Sequence, residues 1–170
     1  MLQQELIHLL QLAYSAEKAA AFAYQGHAGS IKCPKQKASI KQIEMDEWEH
    51  RQAVFKMMNQ YNVPISKWLE LKFALIGKFV AFTCYVTGFF IPTYFAGRLE
   101  SGNTCEYYRM VDLFEKIGIT EHSMLLNEMG DKEKEHEIYL AKLIANHWML
   151  PFFQKLFKWG PDNSFKCDNE

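Results

Sequence analysis

Apolar residues recur at three- and four-residue steps along most of the chain, the period of helices that bury one face. Leu2, Leu6, Leu9, Leu10, Ala13, Ala16 and Ala20 predict a first helix from Leu2 to about His27, closed by Gly26, Gly29 and Cys33-Pro34. Ile40, Ile43, Trp48, Val54, Phe55 and Met58 predict a second from about Gln36 to Tyr61, stopped by Asn62-Val63-Pro64. Ser66 then reads as an N-cap.

The stretch from Phe73 to Gly97 carries a single charge, Lys78. Proline at 92 and Gly88 interrupt it, which predicts a helix from about 66 to 87, a break near Gly88–Pro92, and a further helix through Glu100 to about Glu115. The stretch is borderline in length for a membrane span, which needs about 20 apolar residues. Its composition fits either a buried core helix or an element dipped into a bilayer. A last long helix is expected from about Thr120 to His147, with Gly130 tolerated inside it at some cost. Trp148 to Trp159 then mixes large aromatics with lysines, the make-up of an interfacial anchor, and is read as one in preference to a tail folded back on the protein. Pro161 to Glu170 reads as loose.

The expected architecture is therefore all-α: one domain over 1–170, with a four-helix bundle in 2–147 that includes an apolar insertion at about 66–97. An aromatic and basic segment with a tail fills 148–170. At 170 residues a core of this size is sustainable. Nineteen basic against twenty acidic residues give a net charge of -1, so the surplus of cations that nucleic acid demands is missing. Four scattered cysteines (Cys33, Cys84, Cys105, Cys167) without Cys-x-x-Cys spacing read as free thiols in a reducing compartment. The segment Met1–Glu5 lacks the positive start of a signal peptide.

Against this background one pattern occurs twice. Glu17 is followed 30 positions later by Glu47-Trp48-Glu49-His50, and Glu100 is followed 33 positions later by Glu133-Lys134-Glu135-His136. Positions i and i+3 share a helix face, so Glu47 with His50 and Glu133 with His136 each form a clamp. A lone mid-helix glutamate accompanies each clamp. Four carboxylates and two imidazoles match the ligand set of ferritin-like di-iron or di-manganese carboxylate bundles. A single Glu-x-x-His is a weak signal; two copies with matched partners are hard to obtain by chance. Glu47 and Glu133 are expected to bridge two ions, Glu17 and Glu100 to be terminal, and His50 and His136 to serve one ion each. Glu49 and Glu135 point about 100° away from the clamps and read as solvated. Glu44, Glu106, Glu121 and Glu128 read as surface charges, and His8, His27, His122 and His147 as ordinary histidines. Tyr24 and Tyr107, two turns after Glu17 and Glu100, lie on their ligands' faces as candidate neighbours of the site.

These residues carry a family resemblance. Ala16-Glu17-Lys18-Ala19-Ala20-Ala21 with Tyr24 and Gly26, Asp46-Glu47-Trp48-Glu49-His50, Glu100 with Tyr107, and Asp131-Lys132-Glu133-Lys134-Glu135-His136 resemble the motifs of the demethoxyubiquinone hydroxylases, ferritin-like di-iron monooxygenases of ubiquinone synthesis. The likeness runs from about residue 10 to 145 at the level of motifs. Glu106 stands where the family usually has histidine, the connection between the last two ligand helices is shorter, and the C-terminal Trp/Phe/Lys segment has no counterpart. The resemblance implies two iron ions (manganese would serve the same ligands), O2, a hydrophobic quinone or phenol whose ring is hydroxylated, and an electron donor such as NADH or a reductase. It also tips 73–97 towards the bilayer and implies a peripheral place on the cytoplasmic, inner face of the cell membrane, with room for a homo-oligomer. Two other readings stay open: a different ferritin-like oxidase (peroxidase, iron oxidase or tRNA hydroxylase), or a metal-free helical bundle acting as a membrane adaptor.

Overall fold

Spacing, caps and breakers resolve into helices α1 (Gln4–Ser30), α2 (Pro34–Gln60), α3 (Lys67–Val86), α4 (Phe90–Glu115), α5 (Ser123–Ile144) and α6 (Leu150–Phe157). This computed structural model describes residues 3–165 and 167, and among them it is all-helical, without a strand. The expected start at Leu2 lies outside the described residues. The chain divides into two compact units, Met1–Phe89 and Phe90–Glu170.

In the first unit α1 packs against both α2 and α3. Gly26 and Gly29, expected to end α1, lie inside it. Their purpose is close approach: a Cβ on Gly26 would run into the backbone of Ala81, and one on Gly29 into the Tyr85 hydroxyl. Gly77 meets α1 from the other side, where a Cβ would stand 2.6 Å from the Ala19 carbonyl oxygen. Pro34 opens α2, where its missing N–H costs nothing. Ser66 caps α3 as expected, its hydroxyl accepting from the Leu69 N–H at 3.4 Å.

The core-helix reading of 73–97 fails for its first half. Only Gly77 and Cys84 of α3 are buried. Trp68, Leu71, Leu75, Phe79, Phe82 and Val86, spaced by three or four, form an apolar stripe between 56% and 70% exposed. The second half, from Phe90, is the start of α4 and contributes Phe90, Thr93, Tyr94 and Gly97 to a buried face. The break falls where Gly88 takes a positive φ of 75°. Among the described residues, no helix is long and apolar enough to cross a membrane.

In the second unit α4 packs along α5. Gly130 lets them close, since a Cβ there would sit 2.7 Å from the Tyr108 ring. The aromatic C-terminal segment is divided rather than wholly interfacial. Trp159 is fully buried, and with Phe153 it packs edge-to-face against Tyr94 at 5.1 Å each. The Tyr94 hydroxyl reaches the carbonyls of Trp159 at 2.7 Å and Phe153 at 3.0 Å. Phe152 and Leu156 of α6 stay exposed, as does Trp148 just before the helix.

Two further expectations are corrected. Cys105 and Cys167 are not free thiols but form a disulfide across 62 residues; Cys33 and Cys84 are the free pair. The described part of the tail is pinned rather than loose. The chain reverses at Lys158, in the left-handed conformation, and the Phe165 N–H donates to Ser101 Oγ at 2.8 Å. That reversal returns Cys167 to α4, a long-range closure that cysteine spacing does not encode.

Candidate metal centre

Each unit buries a cluster of two glutamates and one histidine. In the first, Glu17 comes from the middle of α1 and Glu47 with His50 from the middle of α2, all at or below 7% exposure. Their ligand atoms lie within 4.8 Å of one another. The second unit repeats this with Glu100 from α4 and Glu133 with His136 from α5, again within 4.8 Å. All six expected ligands are therefore buried, three to a cluster. Glu49 and Glu135 are exposed, as their helix positions require, and Lys132 pairs with Glu135 at 2.7 Å.

The chemistry of this donor set fits a metal ion. Two carboxylates brought together out of water repel each other and lose hydration, a combination that a divalent cation offsets. Carboxylate plus imidazole, with no thiolate, suits iron, manganese or zinc rather than copper(I). The buried Glu/His groups could hold a metal ion.

Three supporting features had no signature in the sequence. Lys18 follows Glu17 and Arg51 follows His50, and both cations are drawn to one carboxylate, Glu70 of α3, at 3.1 and 2.8 Å. Arg51 also donates to the Tyr14 carbonyl and lies 3.5 Å over the Tyr14 ring. Burial pushes the Glu70 carboxyl up, but hydrogen bonds from Arg51, Lys18 and Ser15 outweigh it and hold it below its ordinary value. The charges adjacent to the ligands are thereby fixed to a third helix.

In the second unit Glu137, next to His136, is buried and accepts from Trp159 Nε1 at 2.8 Å and Lys134 Nζ at 2.5 Å. Burial raises its pKa, and the bonds from Lys134, Trp159 and Ser101 lower it further than burial raises it. Asn103 donates towards both Glu100 and Glu133. Tyr24 and Tyr107 are buried on α1 and α4, and the Tyr24 ring stacks on His27 at 6.4 Å. A family motif could have flagged none of Glu70, Asn103 or Glu137. Each is an ordinary polar residue on a helix until its neighbours are known.

No family model matches this chain, and neither a curated protein nor a solved structure matches it.

Proposed function

We propose that the two Glu–Glu–His triads together form a dinuclear iron centre in a ferritin-like four-helix arrangement, and that the protein is an O2-dependent monooxygenase. The observation that carries this reading is the duplication: two buried triads of the same composition, each with its Glu-x-x-His pair on one helix and its lone glutamate on another. Glu47 and Glu133 would bridge, Glu17 and Glu100 would be terminal, and each histidine would anchor one ion. Held by these six residues, the ions would supply activation of O2 for hydroxylation of the substrate ring. The reaction balances as one oxygen atom to the ring and one to water, with two electrons from NADH or a reductase and two protons, one of them from solvent when NADH is the donor.

The substrate class proposed is a prenylated quinone or phenol, as in the demethoxyubiquinone hydroxylases that the motifs resemble. Support comes from the exposed apolar stripe of α3, flanked by exposed Lys67, Lys72 and Lys78, and from exposed Phe152 and Leu156 of α6 with Trp148 just before it. Two apolar faces with lysines nearby suit peripheral attachment to a lipid surface, where such a substrate resides. Four free thiols would favour a reducing compartment, and the Cys105–Cys167 disulfide withdraws that support for the cytoplasmic side of the membrane.

The test is metal content followed by turnover. The purified chain is predicted to bind two irons and to oxidise NADH, with its reductase where one is needed, only when a quinone analogue is present. Glu133→Gln should lose metal loading and keep its helical circular dichroism, because the amide retains the shape and removes the charge. Iron uptake unchanged in that variant would reject the centre; two irons without quinone-dependent oxidation would reject the hydroxylase.

A further inference from the structure

Asn103 lies one turn after Glu100 on α4. Its side-chain nitrogen stands 3.2 Å from Oε2 of Glu100 and 3.3 Å from Oε2 of Glu133. The amide nitrogen donates and the carboxyl oxygens accept, one N–H for each acid. A single neutral group thus spans two ligands on different helices.

The choice of group matters. Two buried acids brought within ligating distance repel each other, and something must hold their spacing in the absence of an ion. A lysine or arginine would do so with a full positive charge, which would compete with a metal ion for the same oxygens. An amide supplies donors without net charge. A carboxylate has about four lone-pair sites, so it can keep the amide and still bind an ion. Asparagine's short side chain leaves the donor little freedom to follow a carboxylate that swings away. Polar partners of metal ligands commonly set ligand orientation and affinity in this manner.

We propose that Asn103 is a positioning residue of the metal centre, holding Glu100 and Glu133 at a set spacing before an ion arrives and restraining them once it is bound. This rests on the reading that the triads bind metal.

Anaerobic Mn(II) titration of the full chain, followed by the electron paramagnetic resonance of the free ion, tests it together with the melting temperature with and without Mn(II). Asn103→Leu keeps the branched shape and heavy-atom count and removes the donors; it is expected to weaken at least one of two binding events by about 10–100-fold and to shrink the metal-induced rise in melting temperature. Asn103→Asp places a third negative charge against the pair; it is expected to lower the melting temperature without metal and to enlarge the rise on adding Mn(II). Opposite displacements of the metal-induced rise in two folded variants are what a hydrogen-bonding role requires. Displacements of the same sign, or Leu-variant affinities equal to those of the wild type, would overturn it while leaving the metal centre standing. A wild-type chain that takes up no more than one ion would overturn both.

Discussion

His27 shows what burial does to one titratable side chain. It is 2% exposed, with Tyr24 stacked on one side and Phe89 tilted against the other, and burial pushes its pKa from 6.5 down to about 4. The folded chain therefore keeps a neutral imidazole where the unfolded chain takes up a proton. Stability from this residue is intact above about pH 6.5 and declines as pH falls towards 4, by about 3 kcal/mol over the whole interval. His27→Leu should flatten that decline relative to wild type. Urea titrations at pH 7 and pH 4.5 give the comparison, and equal slopes for the two proteins would contradict it. The same residue marks a limit of sequence reading. An unclamped histidine reads as ordinary, and nothing in its neighbours along the chain announces a depressed pKa. Asn103, Glu70 and Glu137 were hidden for a related reason: their partners lie 30, 19 and 22 residues away, Glu133, Arg51 and Trp159 respectively.

At the scale of elements, most boundaries were legible because local chemistry sets them. Ser66 caps α3, Gly88 breaks the chain before α4, and Pro64 bars continuation of α2, each through an effect confined to one turn. What misled was glycine inside α1. Local rules read Gly26 and Gly29 as terminators, whereas contact with α3 uses them to bring backbones together. Gly77 is the sharpest case, because its neighbour is the Ala19 carbonyl rather than a flexible side chain. Gly77→Leu should destabilise the first unit by about 1–3 kcal/mol through overpacking. The denaturant midpoint would fall with little change in slope, and an unmoved midpoint would mean that α1 and α3 do not pack as described. The exposed face of α3 makes a second prediction at this scale. Replacing Phe79 and Phe82 with glutamate should sharply reduce co-sedimentation with vesicles containing anionic lipid, without loss of helical content. Undiminished co-sedimentation would contradict the proposed membrane contact of α3. Hydropathy alone could not separate a core helix from a surface-seeking one here. The distinction depends on which face Gly77, Cys84 and Glu70 turn towards α1.

For the whole molecule, the repeated Glu…Glu-x-x-His pattern located both buried triads from sequence, because ligand spacing on a helix is a local property and burial of a mid-helix acid needs a reason. The tail was not legible. Its attachment through Trp159, Phe165 and Cys167 is built from contacts 22 to 65 residues apart, for which a single sequence offers no period or motif. The all-helical architecture followed from periodicity, and the proposed dinuclear chemistry adds to it one claim: that the two triads share a pair of ions. Anomalous diffraction at the iron edge, on crystals grown with Fe(II) without oxygen, tests that claim most directly. The account predicts two peaks about 3.5–4 Å apart, one within bonding reach of His50 and the other of His136, with Glu47 and Glu133 touching both. No peak, or iron bound only at surface carboxylates, would contradict it.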